Sequence, residues 1–98
     1  AQILLGVADE KRNMGDVRGA VQTLREALHL APRNLQMMVA TAGGILRQIN
    51  ELGWDHPLGQ TAAGLLDEIR AQDAQHPRLA TLTEEYQAAR RKYGIAAG

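Results

Sequence analysis

The chain contains no cysteine and no serine among its 98 residues. The absence of cysteine excludes disulfide bonds, thiol catalysis, iron–sulfur clusters and cysteine-based zinc sites, and the absence of serine excludes a serine nucleophile. Lysine and arginine together number 11, as do aspartate and glutamate, so the formal net charge is zero. Because recognition of DNA or RNA begins with a basic surface, a neutral chain is not expected to bind nucleic acid.

Aromatic residues and long apolar runs are also scarce. Phenylalanine is absent and aromatic residues make up 3% of the chain. No apolar run approaches the roughly 18 residues needed to cross a bilayer, and no basic segment followed by an apolar one indicates a secretory signal. We therefore expect a cytoplasmic protein with no membrane partner. The first residue is Ala1 rather than methionine, which indicates a piece of a longer protein.

Residues that favour helices are abundant. The chain has 16 alanines and 13 leucines, both strong helix formers, whereas the β-branched and aromatic residues that favour strands are few. Apolar residues recur at spacings of three and four in five segments, as on one face of a helix. Turn signals separate the segments at Gly15-Asp16, Pro32, Gly53–Pro57 and Asp73–Pro77. The sequence therefore predicts one all-α domain with about five helices.

Residues at these breaks predict where the helices begin and end. Gly15 can adopt the left-handed conformation that ends a helix. Pro57 and Pro77 are each placed to open one. Side chains that can accept hydrogen bonds from the free N–H groups of a helix start occur at three of the breaks: Asp16, Asn34, and Asp55 or His56.

Residues 1–34 carry large and small residues at fixed spacing. They are Leu4, Val7-Ala8, Gly15-Asp16, Ala20, Leu24, Ala27-Leu28 and Pro32. This pattern resembles one unit of the tetratricopeptide repeat, in which small residues let the two helices of a hairpin and the next helix approach closely. Residues 35–76 resemble a second, longer unit through Ala42, Ala62 and Leu66, and residues 77–93 resemble a closing helix.

The resemblance implies a single domain over residues 1–98, built as a right-handed stack of antiparallel helical hairpins. It also implies a non-catalytic module that binds a partner peptide or helix on its concave face. In the register of the repeat, that face carries Gln2, Leu5, Asp9 and Arg12 on the first helix and Gln36, Val39 and Gly43 on the third. We expect apolar burial at Leu5 and Val39, with polar side chains at the rim orienting the partner.

Part of the tetratricopeptide family holds the terminal carboxylate of a peptide with lysine, asparagine and arginine on this face. Leu5, Asp9 and Val39 depart from that set, so no carboxylate clamp is expected. The closing stretch, from His76 to Ile95, is similar to the C-terminal end of bacterial response regulators that append such repeats to a receiver domain. This similarity implies a role in two-component signalling, with the phosphate-accepting chemistry outside this sequence.

The residue pattern gives little support to metal binding, catalysis or phosphate binding. His29, His56 and His76 lie far apart and match no metal-binding spacing, so we expect no metal, no cofactor and no enzymatic activity. Gly43-Gly44 lies within a helical stripe rather than after a strand, which favours close helix approach over a phosphate loop.

Two alternatives stay open. Trp54, in the turn between two helices, can pack over the end of a hairpin or serve as an exposed anchor for a partner. A short stack also leaves apolar end faces that its own helices do not cover. The alternative function is therefore homodimerisation through a helical end face.

Overall fold

The structure, a computed structural model, describes residues 2–95, apart from the side chain of Gln2. It comprises α1 (Gln2–Asn13), α2 (Val17–Leu30), α3 (Leu35–Leu52), α4 (His56–Gln72) and α5 (Leu79–Lys92), and residues 2–95 contain no strand. The all-α prediction is confirmed. No helix in this part of the chain is long and apolar enough to span a membrane.

Three helices begin at the predicted capping residues. Each capping side chain accepts a hydrogen bond from the backbone N–H three residues further on, at 2.9, 3.1 and 3.1 Å for Asp16, Asn34 and Asp55. Asp55 rather than His56 therefore caps α4, and Pro57 lies in the first turn of that helix. Each bond satisfies one of the four N–H groups that a helix start leaves unpaired.

Two of the three described glycines with positive φ end their helices with the same hydrogen-bond pattern. Gly15 after α1 has φ 86° and Gly94 after α5 has φ 66°. In both cases the next residue donates its N–H to a carbonyl five residues earlier, at 2.8 Å, to Lys11 and Arg90 respectively. This arrangement satisfies carbonyls that the helix end leaves free, and it confirms the prediction for Gly15. Residues 96–98 lie outside the described part of the chain.

The start of α5 differs from the prediction. Pro77 lies in a turn before the helix, which begins at Leu79. The His76 ring accepts a hydrogen bond from the backbone N–H of Arg78 at 3.1 Å, and the His76 carbonyl accepts one from the N–H of Leu79 at 3.1 Å. These bonds form a turn over residues 76–79, so Pro77 precedes α5 instead of opening it.

Helix α3 occupies the centre of the fold, because it packs on α2, α4 and α5. Its side chains supply much of the core, and Met38, Ala42, Ile45 and Ile49 are fully buried. Burial of each large apolar side chain contributes about 1.5–3 kcal/mol. The hydroxyl of Thr41, also fully buried, donates a hydrogen bond to a carbonyl of α2 at 3.3 Å.

Small residues allow the helices to approach closely. Ala8, Ala20 and Ala27 are 2%, 5% and 0% exposed, as expected for small residues between packed helices. A Cβ at Gly44 would lie 2.6 Å from Leu24 Cδ1 on α2, so Gly44 permits the contact between α2 and α3. The predicted close approach is found at Gly44 but not at Gly43, where a Cβ would make only ordinary contacts, 3.5 Å from Arg78 Nη2 and 3.7 Å from Leu82 Cδ2.

Candidate binding groove

Helices α1 and α3 are separated by a gap. Helix α1 packs on α2, but no Cα atom of its described residues comes within 8 Å of a Cα atom of α3. The gap opens into a groove of about 990 Å³. Residues of α2 form the bottom of this groove, which continues between α3 and α5. We call this surface the main groove. Its lining includes Leu5, Asp9 and Arg12 on α1, Ala20 and Leu24 on α2, Gln36, Val39, Gly43 and Arg47 on α3, and Arg78, Glu85 and Lys92 at α5.

Each helix contributes one stripe to this groove. The lining residues of α1 and α3 include series at spacings of three and four, such as Leu5, Asp9 and Arg12 on α1 and Gln36, Val39 and Gly43 on α3. That spacing keeps side chains on one face, because an α-helix has 3.6 residues per turn. The same helical periodicity that places side chains in the core therefore also places side chains of α1 and α3 along the groove.

Five of the six residues predicted to bind a partner line the main groove. They are Leu5, Asp9, Arg12, Gln36 and Val39, and Gly43 lies among them. Leu5 is half-buried, whereas Asp9, Arg12 and Gln36 are exposed. The structure thus brings together residues up to 34 positions apart along one groove. Gln2, predicted beside them, has a side chain outside the described residues.

Val39 contributes to the groove in a different way from the one expected. It is 5% exposed and belongs to the main apolar cluster, which α3, α4 and α5 form together with Val21 of α2. Its side chain is therefore part of the groove floor and offers little surface to a partner. Ala20 and Leu24, at 5% and 7% exposed, are covered to a similar extent. The accessible apolar surface of the groove therefore includes the half-buried Leu5, Val17 and Leu35.

Charges on the α1 side are paired within the chain. Arg12 Nη2 lies 2.8 Å from Asp9 Oδ1, with 42% and 62% of the respective side chains exposed. An exposed pair of this kind contributes at most about 1 kcal/mol to stability. Both groups remain accessible to a partner from the groove.

The α5 side of the groove was not predicted as part of the site. Arg78, Glu85 and Lys92 all line it. Lys92 Nζ donates hydrogen bonds to Asn50 Oδ1 at 3.2 Å and to the Asn50 carbonyl at 3.4 Å, which ties the end of α5 to α3. The sequence signal that could have found these residues is their spacing of seven, which keeps them on one helix face.

Trp54 does not line the main groove. Its indole is half-buried and packs against the main apolar cluster, with its ring centroid 6.4 Å from that of Tyr86. The Arg90 guanidinium lies 5.6 Å from the Tyr86 ring centroid, on the ring face. Of the two interpretations of Trp54, packing over a hairpin end agrees with this position, and the role of an exposed anchor does not.

The histidines are not gathered into one cluster. His29 and His56 are exposed on α2 and α4, and His76 precedes α5. Within residues 2–95, no three histidine, aspartate or glutamate side chains lie close enough together to hold a metal ion.

Comparison of the chain with protein-family models, with curated proteins and with solved structures finds no match. The resemblance to the tetratricopeptide repeat therefore stands on the residue pattern of the chain.

Proposed function

We propose that this chain is a non-catalytic interaction domain of tetratricopeptide type, which binds a peptide or helix of a partner protein in the main groove. One observation carries the proposal: residues of α1 and α3 that the repeat register assigns to the binding face line one groove that is open to solvent. We further propose the right-handed stack, a cytoplasmic location and a place in bacterial two-component signalling, all from the residue pattern of the chain.

Binding in the main groove would combine apolar burial with polar orientation. A partner side chain in the main groove would cover exposed parts of the half-buried Leu5, Val17 and Leu35, at about 25 cal/mol for each Å² of apolar surface removed from water. Asp9, Arg12 and Gln36 surround this apolar strip and can form directional contacts with the partner. This layout is typical of sites that take an amphipathic segment.

Site-specific photo-crosslinking in the native host cells tests this proposal. A photoreactive phenylalanine analogue at position 36 should capture a partner protein, because Gln36 is exposed and lines the main groove. The matched control carries the analogue at position 22, where exposed Gln22 lies on α2 outside the groove. Adducts from position 22 with none from position 36 would contradict the proposal.

Homodimerisation is the second candidate function, and the outer side of α1 favours it. Ile3 on α1 and Met14 in the turn directly after it are both 83% exposed. The Met14 N–H still donates to the Glu10 carbonyl at 3.0 Å, as in a helix, so a separation of 11 residues places the two on one side. Because α1 packs only on α2 among the described helices, a second copy could cover this end face.

Light scattering over a wide concentration range distinguishes the candidates. A domain that acts through the main groove should show the monomer mass of 10.7 kDa at all concentrations. A dimer that returns to the monomer mass in an Ile3→Glu variant would support the end-face function instead.

A further inference from the structure

The charged residues at α5 form a regular series along the main groove. Arg78, Glu85 and Lys92 follow one another at intervals of seven residues, and all three line the groove. Seven residues are almost two helical turns, so the three lie along one stripe at intervals of about 10.5 Å. The stripe therefore presents positive, negative and positive charge in order, and we call it the α5 charge stripe.

The described residues leave these three charges without an opposite partner. Neither Arg78 nor Glu85 forms an ion pair within residues 2–95, and Lys92 bonds to the neutral oxygens of Asn50. The two arginines elsewhere in the groove differ, since Arg12 pairs with Asp9, and Arg47 pairs with Glu51 at 3.3 Å. A partner protein can therefore form new pairs of opposite charge in the main groove with the residues of the α5 charge stripe.

The surface beside the stripe suits a helix. Small residues lie along this part of the groove, including Gly43 on α3 and Ala88 on α5. A Cβ at Gly43 would lie 3.5 Å from Arg78 Nη2, an ordinary contact distance, so the first charge of the stripe lies beside this part of α3. A partner helix has the same rise per residue as α5 and can match its charge spacing over two intervals.

We propose that the partner bound along the α5 charge stripe is an α-helix that carries a carboxylate, a cation and a carboxylate at seven-residue spacing. This inference rests on the proposed groove-binding function and specifies the chemistry of its partner. The two carboxylates face Arg78 and Lys92, and the cation faces Glu85. Because the series reads the same in both directions, it selects a partner by charge without fixing the direction of the partner helix. A helix with the opposite series is repelled at all three positions.

A pair of synthetic helical peptides tests the inference. One carries Glu, Lys and Glu at seven-residue spacing beside a leucine stripe, and the other carries Lys, Glu and Lys at the same positions. Binding is measured by fluorescence anisotropy at low salt, where electrostatic contacts between exposed groups are least screened. We expect the Glu-Lys-Glu peptide to bind about tenfold more tightly than the Lys-Glu-Lys peptide, as three exposed charge contacts of modest strength predict.

Charge reversal in the protein provides the second arm. The Arg78→Glu/Lys92→Glu variant should lose the preference for the Glu-Lys-Glu peptide and favour the Lys-Glu-Lys peptide. The matched control is Arg25→Glu, on an exposed position of α2 outside the main groove, which should keep the original preference. Circular dichroism confirms that each variant is folded.

The outcomes separate this inference from the proposed function. Equal binding of the two peptides, binding of neither, or a preference that charge reversal leaves unchanged overturns the inferred charge series. The crosslinking result at position 36 does not depend on these peptides. Adducts at position 36 together with equal peptide binding would retain the groove and reject the charge series, whereas no adduct at position 36 rejects the groove itself.

Discussion

Replacement of Ala62 by glutamate is expected to unfold the domain. Ala62 is fully buried in the apolar cluster formed by α3, α4 and α5. A carboxylate there would lose its hydration without an oppositely charged partner, at a cost of at least about 3 kcal/mol. Domains of this size have a total stability of only about 5–15 kcal/mol. We therefore expect a melting temperature at least about 12 °C lower, or loss of helical circular dichroism at 25 °C.

The same substitution at Ala71 is the matched control. Ala71 lies on the same helix but is exposed, so Ala71→Glu should change the free energy of unfolding by no more than about 1 kcal/mol. Both variants are compared by thermal unfolding followed by circular dichroism. If the Ala62→Glu variant has the same melting temperature as the wild-type protein, the packing of α4 on α3 described above is wrong.

Alanine is expected to have opposite effects at two glycines of α4. At Gly59 the new Cβ would lie 2.5 Å from Cζ2 and 2.7 Å from Cη2 of the Trp54 indole. The rigid ring must shift, and overpacking of this kind costs about 1–3 kcal/mol, which exceeds the gain of up to about 1 kcal/mol in helix propensity. At Gly64 a Cβ meets nothing within 4 Å, so Gly64→Ala should stabilise the domain by up to about 1 kcal/mol.

Urea unfolding measures both effects, and the fluorescence of Trp54 reports where the first arises. Trp54 is the single tryptophan of the chain, so its emission should move to longer wavelength in Gly59→Ala and stay unchanged in Gly64→Ala. An increase in stability for both variants would show that the indole does not pack on Gly59.

The predictions that the structure confirms depend on short-range interactions. Asp16, Asn34 and Asp55 each bond to an N–H three residues away, and Gly15 needs only its own positive φ. Such features can be predicted from a few neighbouring residues. Pro77 was predicted incorrectly because the local bonds of His76 compete with a helix start at the proline.

The features that sequence reasoning missed depend on packing between distant segments. Val39 was placed on the binding face, and it lines the groove, but packing in the cluster shared with α4 and α5 leaves it 5% exposed. The position of α5 beside α3 also brings Arg78, Glu85 and Lys92 into the groove. Periodicity indicates which residues share a helix face, but the neighbour of that face is set by tertiary contacts.

The separation of α1 from α3 has a consequence for how the fold opens. Because α1 packs only on α2 among the described helices, it can detach while α3, α4 and α5 stay assembled. Such sub-global opening requires less free energy than unfolding of the whole domain, and amide hydrogens of α1 should exchange before those of α3. A ligand that bridges α1 and α3 would add a contact between two helices whose described Cα atoms lie more than 8 Å apart. Binding of that ligand would then stabilise the packing of α1 on α2, and this packing would in turn favour binding.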